Sequence, residues 1–226
     1  MSAGDGKLPG TGFDSLDPVE VLGASGAIMD RLRAPDGRWL LVPEPGLILP
    51  ANWTPPTDIT YVVIDTGVAD DHPSLVGRVV QQVNLTSDGL KDENGHGTAV
   101  AAILAVDLPG TQIISIKALN DQGQSTVELL NHALRVAEDL LVKRGGTGLI
   151  NLSAGRRSPS CNHDCPLCTT VRDVWETSHI LTVAAAGNEP GVTYCPAKST
   201  ISVATPDKWS APGDLIMVPP NWVPAA

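Results

Sequence analysis

The chain has 226 residues, enough for one full α/β domain carrying tails. Apolar residues at 42% against 18% charged can bury a sizeable core, and only 4% aromatics make that core aliphatic and alanine-rich. A formal charge of −10 argues against phosphate-backbone binding as the main task. No apolar run reaches the ~18 residues of a membrane helix. Neither nucleic acid nor membrane is therefore an expected partner. No signal peptide is visible either, so the expected compartment is cytoplasmic.

Residues 1–18 are rich in Gly, Ser, Asp and Pro and read as a disordered N-terminal tail. Residues 19–58 hold short apolar pieces broken by prolines and read as a strand-and-turn prefix. From residue 59 the pattern changes. Ile59–Ile64 is a continuous β-branched run, as in a buried parallel strand. Gly97–Ala105 predicts a helix and Gln112–Ala118 a strand. Ser125 can cap a helix running to Lys143, with Glu128 at capping-box spacing. Gly148–Leu152 predicts a strand, Thr169–Glu176 a helix and His179–Ala186 a further strand. This alternation implies a parallel sheet covered by helices, with functional groups collected at the carboxyl ends of the strands.

Three polar residues stand at such ends. Asp65 closes the first strand, His96 opens a helix within Asn94-Gly-His-Gly-Thr98, and Asn188 follows Ala184-Ala-Ala-Gly187. A carboxylate that orients an imidazole, together with an amide that donates to an oxyanion, forms two parts of an acyl-transfer site. Blander readings remain: a strand-end carboxylate, a helix-start histidine, a turn asparagine. His72 reads as structural, and His132 and His179 as ordinary helix and strand histidines.

These residues sit in a run of motifs that resembles one family. Val63-Ile-Asp-Thr-Gly-Val-Ala-Asp-Asp-His-Pro-Ser-Leu75 is similar to the aspartate motif of subtilisin-like serine proteases, and Gly95-His-Gly-Thr-Ala-Val-Ala101 to their histidine motif. Ile150-Asn-Leu-Ser-Ala-Gly155 resembles their pocket strand, Val183-Ala-Ala-Ala-Gly-Asn-Glu189 their oxyanion motif, and Cys195–Val203 the stretch beyond it. The resemblance spans about residues 59 to 215. It implies a subtilisin-like three-layer fold, a mostly parallel central sheet flanked by helices, over residues 59–226. It also implies peptide-bond hydrolysis that requires no cofactor, with an extended polypeptide as substrate. His96 would be general base and acid, Asp65 its orienter, and Asn188 the oxyanion donor. Gly123 and Gln124 would line one side of the groove and Ser153, Ala154 and Gly155 the other, with Ala185, Ala186 and Gly187 at the pocket base.

The resemblance breaks at the nucleophile. The family carries it in Gly-Thr-Ser-x-Ala, whereas here Gly-Thr stands at Gly10, Gly97, Gly110 and Gly146 and never precedes Ser. The expectation is a fold incomplete at its C-terminus and inactive alone, with the serine helix supplied by a second chain or a longer product. The alternatives are a pseudoprotease that binds peptides without cutting them, and a truncated gene product.

Cys161, Cys165 and Cys168 have C-x₃-C-x₂-C spacing, and Cys195 follows 27 residues on. Structural zinc (Cys₄, or Cys₃His with His163), a disulfide and free thiols all fit that spacing. A radical iron–sulfur centre does not fit a motif lying between two protease motifs. Calcium is the cation the resemblance implies, but no carboxylate cluster commits to it; Asp70, Asp71, Asp92 and Glu93 could contribute, with solvated loops the plainer reading.

Overall fold

A computed structural model describes residues 19–21, 59–108, 110–145, 148–189, 191–192, 194–204 and 215–216. The tail expected over 1–18 and residues 22–58 of the prefix lie outside the described residues. The first element, β1 (Val19–Val21), is the described part of that prefix.

β2 (Thr60–Asp65) forms where the β-branched run predicts a strand, and its side chains serve two faces. Val62 and Ile64 join one core cluster and Val63 the other, all three fully buried. Each such side chain contributes about 1.5–3 kcal/mol of burial. β2 is central in a seven-stranded sheet whose pairings are all parallel. β3 (Val79–Asn84) and β4 (Gln112–Lys117) lie to one side of it. On the other side come β6 (Gly148–Leu152), β8 (Leu181–Ala185), β10 (Ile201–Ala204) and β11 (Leu215–Ile216).

Helix α1 (His96–Asp107) packs on the Val63 face through Ala101, Ala102 and Ala105. Small side chains there let the helix lie close to the sheet. Helices α2 (Val127–Lys143) and α3 (Pro166–Ser178) cover the opposite face, where Leu130, Leu134, Leu141 and Val174 meet Ile64, Ile114 and Leu152. Tyr194 is the one aromatic side chain buried among the described residues, as the composition implied.

Three local readings change. The cap of α2 is Thr126, whose Oγ1 accepts from Leu129 N at 3.2 Å. Ser125 instead lies in β5 (Gln124–Ser125) and donates its hydroxyl to Ala118 O at 2.6 Å. Helix α3 begins at Pro166, before Thr169, because proline suits the first helical position. His179 is the left-handed residue that ends α3 at φ 55°, so β8 starts only at Leu181.

A second, smaller sheet is antiparallel. β1 lies between β5 and β7 (Ala154–Arg157), and β7 also pairs with β9 (Tyr194–Cys195). β1 falls within the stretch read as strand and turn, whereas β5, β7 and β9 carry no alternating apolar pattern and the sequence does not announce them.

Candidate active site

The parallel register puts Asp65 at the carboxyl rim beside Lys117, with Ser153 and Ala185 next along the same row on the other side. Period-two alternation turns Asp65 to the same face as Val63, which is the α1 face. His96 opens α1 there, and its Nδ1 lies 2.7 Å from Asp65 Oδ1. Both side chains are buried, at 5% and 1% exposure, so water does not compete for this bond.

The approach of α1 to β2 depends on one missing Cβ. A Cβ on Gly97 would stand 2.1 Å from Gly67 O and 2.9 Å from Asp65 Cβ. Glycine after the histidine is therefore the condition for the Asp65–His96 bond. Gly95 precedes it at φ 92°, a left-handed turn that an L side chain resists.

Asp92 ties the corner together. Its Oδ1 accepts from Thr66 Oγ1 (2.9 Å), Gly95 N (2.8 Å) and Asn94 N (3.2 Å). Its Oδ2 accepts from Thr98 N (2.9 Å) and Thr98 Oγ1 (2.6 Å). Burial pushes its carboxyl above the usual range, and hydrogen bonds from Thr98, Gly95 and Thr66 pull partly back. Thr66 Oγ1 in turn accepts from Gly97 N at 3.1 Å. The end of β2, the loop before α1 and the first turn of α1 thus share one carboxylate. The reading of Asp92 as part of a solvated loop is corrected, because it is fully buried. Asp71 is exposed, Asp70 accepts from Gln82 at an exposed site, and Glu93 pairs with Lys91 at the surface.

Lys117 is fully buried, and its ammonium donates to Lys91 O (2.8 Å) and to Asp121 (2.5 Å). Asp121 N donates to Asp88 Oδ2 at 2.8 Å, and Asn94 Nδ2 to Asp121 O at 3.1 Å. These bonds anchor the turn leading into β5 to the loop before His96. Gly123 makes that turn at φ 74°. No apolar period marks Lys117 or Asp92 as buried, although the spacing Asp92-Glu-Asn-Gly-His96 was available as a signal.

β5 and β7 face each other across β1. Glu20 pairs with both Gln124 and Gly155, Val19 pairs with Ser125, and Val21 pairs with Ala154. An extended segment of the chain itself is thus held, antiparallel on both sides, between the two stretches expected to form a groove. Ser153, just before β7, donates its hydroxyl to Asn151 Oδ1 at 3.1 Å.

Asn188 lies on the same rim, beyond β8, which stands two strand spacings (~10 Å) from β2. Ala185 ends β8, and the buried Ala186 donates its N–H to Val203 O at 2.8 Å. Gly187 follows at φ 122°, under the ring of Tyr194, where a Cβ would meet Cδ2 at 2.1 Å. Tyr194 donates its hydroxyl to Glu189 at 3.0 Å, and Arg157 Nε lies 3.3 Å from the same carboxylate. Glu189 thereby ties the Asn188 loop to β7 and β9. His72 is buried, its Nδ1 accepting from Ser74 N at 3.2 Å, and His132 is exposed on α2.

The four cysteines converge between β7, α3 and β9. All are buried and unbridged. Hydrogen bonds, first from Cys168 and then from Cys195, hold the Cys165 thiol down to about 2. The bond to Cys165 pushes Cys168 up to about 12, and Cys195 is pushed up by its own bonds, first to Cys165 and then to Cys168. His163 stands outside the cluster, exposed, with Nδ1 3.1 Å from Ser199 Oγ.

The fold and rim together define an α/β domain with a buried carboxylate–imidazole pair at the carboxyl rim of a parallel sheet. The chain belongs to the subtilase family, whose model matches residues 57–218. It is 31% identical over 162 residues to the thermophilic serine proteinase of Bacillus sp. (strain AK1), covering 65% of this chain and 38% of that protein. It is also 31% identical over 157 residues to the intracellular serine protease of Paenibacillus polymyxa (62% of this chain, 45% of that one). To subtilisin-like protease 9 of Arthroderma otae it is 30% identical over 180 residues (70% and 44%). The chain thus spans less than half the length of these relatives. In fold it is similar to a crystal structure of a cold adapted subtilisin-like serine proteinase. That similarity has a TM-score of 0.60 at 23% identity and covers 77% of this chain and 68% of the other.

Proposed function

We propose that these residues supply the peptide-binding and proton-transfer parts of a serine endopeptidase. The hydrogen bond from buried His96 Nδ1 to buried Asp65 carries the reading, because it leaves Nε2 as the proton acceptor. In the proposed reaction His96 takes the proton of a serine hydroxyl as that oxygen attacks the peptide carbonyl. It then returns the proton to the leaving amine. Asp65 holds the tautomer and stabilises the imidazolium. Asn188 donates to the oxyanion, an interaction worth about 3–4 kcal/mol of barrier in such sites. The 226 residues contain no Gly-Thr-Ser, and in this reading a polypeptide bearing that motif supplies the attacking hydroxyl.

The pairing of β1 supports strand-like substrate binding, in which main-chain bonds give affinity and pockets give specificity. A substrate strand entering there takes the place of residues 19–21.

The test adds a polypeptide bearing a Gly-Thr-Ser-x-Ala helix to the chain and applies a fluorophosphonate probe. Labelling of the added serine that disappears with His96→Ala is expected. Peptide binding without any labelling would instead leave a non-cutting binding module and overturn the catalytic reading.

A further inference from the structure

The cysteine cluster takes no part in the proposed peptide chemistry, yet it is the densest group of soft ligands among the described residues. Its four sulfur atoms all lie within 4.8 Å of one another, each from a fully or nearly fully buried residue. Cys161 and Cys168 Sγ are 3.8 Å apart. A tetrahedron of thiolates around one zinc ion, with Zn–S of about 2.3 Å, places its sulfurs about 3.8 Å apart. A disulfide needs about 2.05 Å and joins sulfurs only in pairs, whereas here four converge on one point. An iron–sulfur cube fills the space between its cysteines with eight atoms and holds their sulfurs farther apart than this.

We infer that Cys161, Cys165, Cys168 and Cys195 bind one structural zinc ion. The elements carrying them suit that role. Cys165 is the N-cap of α3 and Cys168 lies in its first turn, so two sulfurs stand at the positive end of a helix dipole. Cys161 enters from the loop after β7, and its N–H donates to Ser158 O at 3.2 Å. Cys195 enters from β9, where it pairs with Arg156. Three close ligands and one distant one make the ion a cross-link across the 27 residues from Cys168 to Cys195. The full thiolate set leaves no open position, which makes the site structural and not catalytic.

The cross-link reaches the rim through β9. Cys195 is covalently next to Tyr194, whose ring covers Gly187 and whose hydroxyl holds Glu189. Zinc therefore fastens the loop that carries Asn188, and this holds whether or not peptide hydrolysis is the chain's function.

Elemental analysis of the purified chain should find one zinc per chain. Replacement by cobalt(II), through unfolding and refolding, should give the intense visible bands of tetrahedral thiolate cobalt. The four thiols should resist a thiol reagent until a chelator and denaturant are both present. Loss of the metal should raise hydrogen exchange at least tenfold over residues 185–199 and leave residues 60–65 unchanged. Cys168→Ser should lower the zinc content severalfold. If that variant does not fold, the cobalt spectrum of the unaltered chain decides. Stoichiometric iron in place of zinc would overturn the inference. So would two disulfides on thiol counting, or four reactive thiols in a folded chain that takes up neither zinc nor cobalt.

Discussion

The corner around Asp65 and the corner around Cys195 are both buried and polar, but they solve that problem differently. In the first, each oxygen of Asp92 meets N–H and O–H donors from Thr66, Asn94, Gly95 and Thr98, so the protein supplies the partners of that carboxylate. In the second, thiols meet chiefly one another. Sulfur is a weak hydrogen-bond partner, and like charges cannot accumulate at such distances. A carboxylate with enough donors is self-sufficient, whereas four packed thiols call for a cation.

The sharpest way to separate the corners is to remove the imidazole. With a serine supplied, His96→Ala should lower peptide hydrolysis by ~10⁶-fold, the scale seen when a triad base is deleted. Cysteine reactivity under native conditions should stay unchanged. Asp65→Asn comes next, at ~10⁴-fold, because the amide favours the wrong imidazole tautomer. Kinetics with the full set of parts checks both. A smaller loss from Asp65→Asn than from His96→Ala is the expected order, and the reverse would break the assignment of roles.

Gly97→Ala tests the packing beneath the pair. Its Cβ would run into backbone, Gly67 O at 2.1 Å, which no side-chain rotation relieves. A loss of about 3 kcal/mol in denaturant unfolding is expected. A change below 0.5 kcal/mol would show that α1 can stand off from β2 at little cost.

The smallest effect is one of pH. Burial raises the folded-state value of the Asp92 carboxyl above its ordinary 3.8. For an acid raised in this way, the folded state binds the proton more tightly than the unfolded chain does. Stability relative to Asp92→Asn should therefore rise as pH falls through the folded-state value, and level off below 3.8. Urea midpoints of both chains at pH 7 and pH 4.5 measure this. An unchanged difference would mean that the donors around Asp92 fully offset its burial.

The rim was more legible in the sequence than the supports beneath it. Asp65, His96 and Asn188 follow strand or helix boundaries marked by glycine and small residues, and such punctuation is local. Thr126 replaced Ser125 as the cap of α2 because Ser125 was taken by β5, a pairing set by distant chain. His179 looked like strand but took the left-handed end of α3.

By itself, the sequence determined the alternation of strand and helix from β2 to β8 in the main sheet, apart from β3, together with the aliphatic core and the family of the chain. The first two follow from residue type and short-range period, and the family from the resemblance of its ordered motifs. Tertiary structure alone decided that Asp92 and Lys117 would be buried, that residues 19–21 would pair between β5 and β7, and that Cys195 would join three cysteines far from it in sequence. Those outcomes depend on which distant segments meet. Hydrogen-bond donors and soft ligands carry no periodic signal of where their partners will come from.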